Sequence, residues 1–431
     1  MRVVAVSILT GPERRVNVEG HDEAHLTTRA AVWCRRIGLV LGSVLLALAA
    51  LELEFRWFRW HRLTMIELEE DPVYHHRLKP HATFHQTSPD FQSVATTNNL
   101  GLRGPADYGP KPPGVRRLLM LGDSFTFGVG VNDDQTFCAL LQRMFDQRGA
   151  RVEVINAGLG SYAPILDYLS LRDLWLPLEP DGVILWFDFG DLQDSFFYAR
   201  NLRYDAQGRL IACHPYYRDG RFDWASYLRE RSALWKYLHN KFVRTYQKIR
   251  ILGLVEYVKI KLRGERAKAA IANLQDHRRQ RVDPLAYDQF LMIRGPDRLQ
   301  EIRTHWDHEA SRDILRIRDL LRERGIPFAL AAYPYGVQVG PDQWGKGRET
   351  YGFQAGVVYD DPFAFELLAD FAKTHGIPFV NLYPAFLAAR HEKLFYDWDG
   401  HFTPAGHRIV AEALPGAPAF QAFLKRLRPS S

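Results

Sequence analysis

Arg117-Leu118-Leu119-Met120-Leu121-Gly122-Asp123-Ser124-Phe125-Thr126-Phe127-Gly128-Val129-Gly130 is the stretch from which the rest of the chain can be read. It opens with a short apolar run that stops at a glycine, the profile of a strand buried on both faces of a parallel sheet. A glycine-rich loop follows, and 137–145 has helical spacing. The same alternation recurs downstream. Strands are predicted at 152–156, 182–187, 327–333 and 378–382, and helices at 165–175, 302–324, 363–374 and 404–414. Strands alternating with helices predict an α/β fold with a parallel, doubly wound sheet, here a flavodoxin-like three-layer α/β/α domain over 116–425. In such sheets reactive groups gather at the carboxyl ends of the strands. No internal repeat is visible.

The position of Ser124 then acquires meaning. A serine hydroxyl is a weak nucleophile until a neighbouring base takes its proton. It also has to sit where a backbone N–H meets the developing oxyanion, which a tight strand-to-loop turn with small neighbours provides. A Gly-Asp-Ser tripeptide is weak evidence alone; its place at the end of the first strand carries the inference. Asp123 beside it suits a structural role, holding the turn through backbone N–H groups. Ser161 lies in a Gly-Ser loop and fits a turn residue better than a second nucleophile.

A base is available at Tyr396-Asp397-Trp398-Asp399-Gly400-His401-Phe402-Thr403-Pro404-Ala405-Gly406-His407. Thr403 and Pro404 make a helix N-cap and first-turn pair, so Asp399 and His401 lie on the loop entering the last helix. An aspartate two residues before a histidine, on a turn carrying Gly400, can accept from Nδ1–H. That fixes the tautomer and leaves Nε2 free for the serine proton. His407 is expected to be packed or exposed on its helix rather than reactive. Asp397, Asp399, His401 and His407 crowd one loop, but no second ligand cluster accompanies them, so no metal and no cofactor is expected.

Ahead of the domain the pattern is different. Residues 37–51 are uncharged and apolar, preceded by Arg35-Arg36 and followed by Glu52 and Glu54. With flanking residues and snorkelling arginines, 31–53 approaches the ~20 residues a bilayer requires. This predicts a transmembrane signal anchor, or a signal peptide cleaved at Ala47-Leu48-Ala49. The flanking charges do not decide orientation, but long domains translocate largely regardless of them. The domain is therefore expected outside the cytoplasm of a bacterium, tethered to its inner membrane. Gly38 and Gly42 match a helix-dimerisation spacing, a weak signal in so short a span. Residues 1–30 read as an unstructured tail. Residues 54–115 carry turn signals at Asp71-Pro72, Lys79-Pro80, Asn98-Asn99 and 111–114, and read as a linker wrapping onto the domain.

Between 196 and 300 the alternation stops. From Arg221 to Arg281 there are 16 Lys/Arg against 5 Asp/Glu, interleaved with aromatics. A basic helical insertion with a solvated face is expected, with a lid against anionic headgroups or an acidic glycan as the sharper reading. The net charge of +6 is modest for 431 residues, and an exported domain rarely meets nucleic acid, so no nucleic-acid partner is expected. Three cysteines, Cys34, Cys138 and Cys213, form neither a zinc-spaced cluster nor a disulfide framework. A Cys138–Cys213 pair is open if the domain is exported, although Cys138 reads as the buried face of a helix.

Three stretches resemble the SGNH (GDSL) hydrolase superfamily, and more narrowly its bacterial membrane-anchored branch. They are Asn98-Asn99-Leu100-Gly101-Leu102-Arg103-Gly104, residues 122–128, and residues 399–407, within a similarity spanning about 95–415. The resemblance implies that Gly158, in Asn156-Ala157-Gly158-Leu159-Gly160, offers its N–H to the oxyanion beside that of Ser124. It also implies an asparagine after the third strand whose side chain completes the oxyanion hole. Here Phe187-Asp188-Phe189-Gly190-Asp191-Leu192 places Gly190 at that position. Loss of one such donor typically costs about 10²–10³ in rate. The resemblance therefore implies a serine-dependent esterase acting on acyl, above all O-acetyl, esters of a carbohydrate or another alcohol. Its alternatives are an O-acyltransferase of extracellular polysaccharide, served by an acyl-donating membrane protein, and a weakly catalytic glycan-binding or assembly protein, which Gly190 favours.

Overall fold

The computed structural model describes residues 19–60, 68–232, 234–235, 238, 288 and 290–427. Its contacts divide the chain into two compact units, Met1–Leu63 with Arg229–Phe242, and Thr64–Leu228 with Val243–Ser431.

In the first unit, α1 (Glu19–Trp60) is one helix of 42 residues. Its segment Val32–Glu54 has 23 residues, a mean hydropathy of 2.0 and none of its apolar window buried. At ~1.5 Å per residue such a segment is about as long as the ~30 Å hydrocarbon core of a bilayer. Leu45 and Leu46 are 66% and 74% exposed, far from the burial a core leucine has. Residues 19–30, expected to be unstructured, continue this helix. Once an apolar segment has nucleated a helix, extending it costs little per residue. Residues 54–60, assigned to the linker, also belong to α1. Residues 1–18 lie outside the described residues.

The second unit is built on one parallel five-stranded sheet. Its strands are β1 (Arg116–Gly122), β2 (Val152–Asn156), β3 (Gly182–Phe187), β4 (Phe328–Ala332) and β5 (Phe379–Asn381), in the order β2-β1-β3-β4-β5. All six residues of β3 and all five of β4 are buried, which is why these strands are continuous apolar runs rather than alternating ones. The crossovers step from β1 out to β2 and then back past β1 to β3. Right-handed connections in opposite directions put their helices on opposite faces. These helices are α3 (Phe137–Gln147) and α4 (Pro164–Ser170). α6 (Ser311–Glu323) packs beside α4, and α8 (Pro404–Ala413) beside α3. The result is the expected flavodoxin-like three-layer α/β/α arrangement. α2 (Ser124–Phe127), α5 (Asp191–Ala199) and α7 (Phe363–Thr374) complete the labelled helices.

The reversal of strand order between β1 and β3 opens a crevice at their carboxyl ends. Register decides what stands there. Gly122 pairs with Trp186, and Phe187 with Ala332. Ser124, Asp188 and Tyr333 therefore leave three adjacent strands close together.

Two stretches differ from their sequence reading. Residues 68–96, read as a linker, form two antiparallel pairs, Leu68–Asp71 with His75–Leu78 and Thr83–Thr87 with Gln92–Thr96. The second pair buries alternate residues, but these include Gln86 and Ser93 beside Phe84 and Ala95. A period of two written partly in polar residues leaves no hydropathy signal. The presumed helical insertion begins, after α5, with antiparallel pairs at Leu202–Tyr204/Leu210–Cys213 and Tyr217–Arg218/Arg221–Phe222. Most of its basic part, 233–289, lies outside the described residues. Cys138 and Cys213 are free thiols in separate apolar clusters.

Candidate active site

The turn after β1 is shaped by its glycines. Gly122 has φ +144, and a Cβ there would meet Thr126 Oγ1 at 2.5 Å and the Trp186 carbonyl at 2.9 Å. Asp123 then caps the single-turn helix α2, its Oδ1 accepting the Phe125 N–H at 2.9 Å. Gly128, left-handed at φ +88, closes the turn by donating to the Ser124 carbonyl at 3.0 Å. Ser124 is the first residue of α2, where helix geometry leaves the N–H without an intrahelical acceptor.

The partner loop is shaped at its far end by Thr403, whose hydroxyl accepts the Gly406 N–H at 3.3 Å and caps α8. Gly400 has φ +89, and the Trp344 ring occupies the space a Cβ would need. This brings His401 Nε2 to 2.8 Å from Ser124 Oγ. Its Nδ1 is in hydrogen-bond contact with Asp399 Oδ1. With Nδ1–H donating to the carboxylate, Nε2 is the lone-pair nitrogen facing the serine hydroxyl. Ser124, His401 and Asp399 thus form one continuous chain of hydrogen bonds across 277 residues of sequence.

Both loops are braced from residues 76–103. Asp90 Oδ2 accepts the N–H groups of Trp398 and Asp399 at 2.7 and 3.0 Å. Gln86 Oε1 accepts the Gly130 N–H at 2.8 Å. Arg103 donates to the Val131 carbonyl at 2.8 Å, pairs with Asp133 at 2.7 Å and lies over the Phe127 ring. His76 Nε2 meets the Gly160 carbonyl at 2.9 Å. The brace gives the Asn98–Gly104 motif a physical purpose.

Charges around the serine are unequal. Burial alone would lower the pKa of His401, but the charge and hydrogen bond of Asp399, helped by Asp123 and Asp188, hold it above the usual histidine range. Burial would raise Asp399, and His401 outweighs it, so this carboxyl stays below its usual range. The other acids behave oppositely. Burial, reinforced by the charge of Asp123, drives Asp167, Asp188 and Asp191 well above the carboxylate range. Burial also raises Asp123 itself, partly offset by His401. Carboxylate oxygens of Asp123, Asp188 and Asp191, one from each, lie within 4.8 Å of one another, and like charges this close cannot all ionise.

A cleft of about 270 Å³ opens over the serine. Ser124, His401 and Gly190 line it, with an aromatic side made of Phe290, Tyr335, Trp344 and Tyr351. Gly190 has φ −67 and ψ −27, so no left-handed backbone requires glycine there. Gly158 is placed differently from the role the resemblance implied. Its N–H donates to Asn156 Oδ1 at 3.0 Å, and the space of its absent Cβ is taken by the α2 backbone, Phe127 N at 2.4 Å. It allows a close approach beneath α2 and does not present a donor to the cleft.

The remaining candidates have definite places. Asp123 holds the turn, as expected, and also accepts from Tyr333 O–H at 3.0 Å. Ser161 is a turn residue with φ +61 at the cleft edge. Asp397 pairs with Lys393 at 2.7 Å. His407 is buried, and its Nδ1 accepts the Phe137 N–H at 3.2 Å. Burial and the nearby Arg103 push its pKa down to about 3. Asp397 and His407 are thus committed away from Asp399 and His401. Sequence reasoning missed Asp90, Asp188, Tyr333, Tyr335 and Trp344. Only Asp188 left a trace, a charged residue directly after an all-apolar strand.

No protein-family model and no curated protein sequence matches the chain. Among solved structures it is similar to an acetyl xylan esterase (13% identity, 70% of this chain and 98% of that chain, TM-score 0.31). It is also similar to a lipase/acylhydrolase from Enterococcus faecalis (12%, 74% and 100%, TM-score 0.34). A third is an acetyl-xylooligosaccharide esterase from Geobacillus (13%, 74% and 99%, TM-score 0.32). Likeness this slight decides nothing about chemistry, which rests on the site itself.

Proposed function

We propose that the chain is a serine-dependent, ester-acting enzyme of the SGNH type. One observation carries the reading: Ser124 Oγ, His401 and Asp399 form an unbroken hydrogen-bonded chain opening into a cleft at the sheet's switch point. In the first step Ser124 Oγ bonds to the acyl carbon, its proton passes to His401 Nε2, and the carbonyl electron pair moves onto oxygen. The Ser124 N–H, which has no intrahelical acceptor at the start of α2, would donate to that oxygen. The carbon–alkoxy bond then breaks, and the His401 proton leaves with the alcohol. A second hydroxyl, activated by the same histidine, takes the acyl group from the serine.

Water as that acceptor makes the protein an esterase, the leading reading, with O-acetyl esters as substrates. The aromatic side of the cleft favours a carbohydrate as the alcohol portion, because sugar faces stack on such rings. A sugar hydroxyl as acceptor would make it an O-acyltransferase fed by an acyl-donating membrane protein. In this reading α1, with its 23-residue apolar segment, tethers the domain to the bacterial inner membrane, and the domain's length favours translocation of the cleft to the periplasmic side.

The test is covalent labelling with a serine-directed phosphonate, read by peptide mass. Label on Ser124, lost in Ser124→Ala, is the expected result. An unlabelled protein that still binds glycan would point instead to a non-catalytic role. Rapid acyl-enzyme formation with slow release to water, accelerated by added sugar, would favour transfer.

A further inference from the structure

One oxygen beneath the cleft has no partner. Asp188 is 2% exposed, and its two carboxyl oxygens are treated differently. Oδ1 accepts twice, from Tyr335 O–H at 2.5 Å and from the Gly190 N–H at 2.6 Å. Oδ2 is buried with no hydrogen-bond partner. An ionised carboxylate spreads its charge over both oxygens, and a buried anionic oxygen without a donor is costly. A neutral acid fits the asymmetry: Oδ1 is its carbonyl oxygen, and Oδ2 carries a hydrogen in want of an acceptor.

Strand register sets Asp188 beside the serine turn. Gly122 pairs with Trp186 across β1 and β3, so Ser124 and Asp188 each stand two residues beyond a paired position on adjacent strands. Both line the cleft, as does Gly190, which contributes no side chain. The groups facing Asp188 are Asp123 after β1, Asp191 and Asp194 on α5, Tyr333 and Tyr335 after β4, and His401. Burial and then the neighbouring carboxylates oppose its ionisation, whereas the Tyr335 hydroxyl, the Gly190 N–H and a protonated His401 favour it.

We propose that a small shift of the Asp188 carboxyl, whose Oδ2 is covered in this structure, makes this neutral acid the side-chain oxyanion donor of the site, its Oδ2–H bonding the substrate carbonyl oxygen as Ser124 attacks. It supplies from position 188 what Gly190 lacks. Asp188 keeps its proton throughout; the proton that moves is that of Ser124, to His401. This rests on the reading of Ser124 as nucleophile.

The experiment measures kcat and KM for a small acetyl ester across pH on the full chain, beside phosphonate labelling of Ser124. Asp188→Asn keeps a donor that does not ionise, so it should retain activity within about tenfold and lose the alkaline fall of the wild type. Asp188→Ala should lower kcat by about 10²–10³-fold with KM little changed. Adding Gly190→Asn to Asp188→Ala should recover at least about tenfold, which a merely structural aspartate would not allow. Near-wild-type kcat in Asp188→Ala, or an alkaline limb that survives in Asp188→Asn, overturns the proposal while leaving a labelled Ser124 in place. An unlabelled wild type whose turnover is unaffected by Ser124→Ala removes the nucleophile itself, and the donor with it. Should Asp188→Ala not fold, the isosteric Asp188→Asn profile decides.

Discussion

The two halves of the candidate site are held in opposite ways. Ser124 is fixed by its immediate neighbours: the left-handed Gly122 and Gly128, and the Asp123 cap on Phe125. Asp399 and His401 are fixed from afar. Asp90 grips the Asp399 loop across 309 residues of sequence, the Trp344 ring lies against Gly400, and the Gly130 carbonyl accepts the Tyr396 hydroxyl at 2.9 Å. The nucleophile's turn takes its shape from its own residues, with Gln86 and Arg103 bracing only its far end, whereas the base's geometry is assembled from three distant segments. Damage to remote contacts should therefore misplace the histidine and leave the serine turn intact.

The strongest challenge to this contrast removes the reacting groups themselves. Ser124→Ala and His401→Ala should each lower turnover of an acetyl ester by several decades, at most about 10⁶-fold, and the double variant should be little worse because the pair acts as a unit. Steady-state kinetics with the three proteins check it; additive losses would mean that the two do not work together.

Asp399→Asn comes next, at up to about 10⁴-fold in kcat. Its pH signature is more informative than its size. His401 has to be neutral to act as base, so activity rises as pH climbs through its raised pKa. Without the carboxylate, burial prevails and that pKa falls. The acid limb of kcat/KM should move to lower pH, and a limb that stays put would assign it to another group.

Asp90→Ala tests the remote grip directly. Two backbone donors lose their carboxylate, and a small misplacement of a catalytic group can cost about 10²-fold. A fall of about ten- to a hundredfold in kcat is expected, with a melting temperature lowered by only a few degrees. Loss of fold with loss of activity would erase the distinction between the two halves.

His407→Gln should do least to chemistry, keeping kcat within about threefold, because glutamine can still accept from the Phe137 N–H. Its effect should appear in stability. His407 is neutral in the fold down to about pH 3 against 6.5 as its ordinary pKa, so below 6.5 the unfolded chain binds the extra proton. Stability falls as pH drops through that window, by at most about 1.4 kcal/mol per pH unit from this group. The variant's melting temperature should fall less steeply on acidification.

The same contrast explains what was legible in the sequence. The β1 turn and the 396–407 loop each carry their geometry within about a dozen residues, so Ser124, Asp399 and His401 stood out as motifs, and the α/β order followed from runs of apolar residues. Asp90 is one aspartate in a hairpin whose buried positions are partly polar. Asp188 comes beside the Ser124 turn only because β3 lies against β1 in a particular register. Gly158 shows the reverse error: a residue legible by resemblance whose N–H the folded chain commits to Asn156. Contacts that depend on which strands become neighbours leave no local pattern.

The span between Ser124 and His401 has a consequence in time. A ribosome that has made the serine has 277 further residues to add before the histidine exists, roughly 15–55 s at 5–20 residues per second. Until then the strand-turn that presents Ser124 can form, but it has no base. A chain threaded out of the cell as it is made would pass through the cytoplasm chemically silent, and its reactivity toward esters would begin only where the C-terminal loop docks.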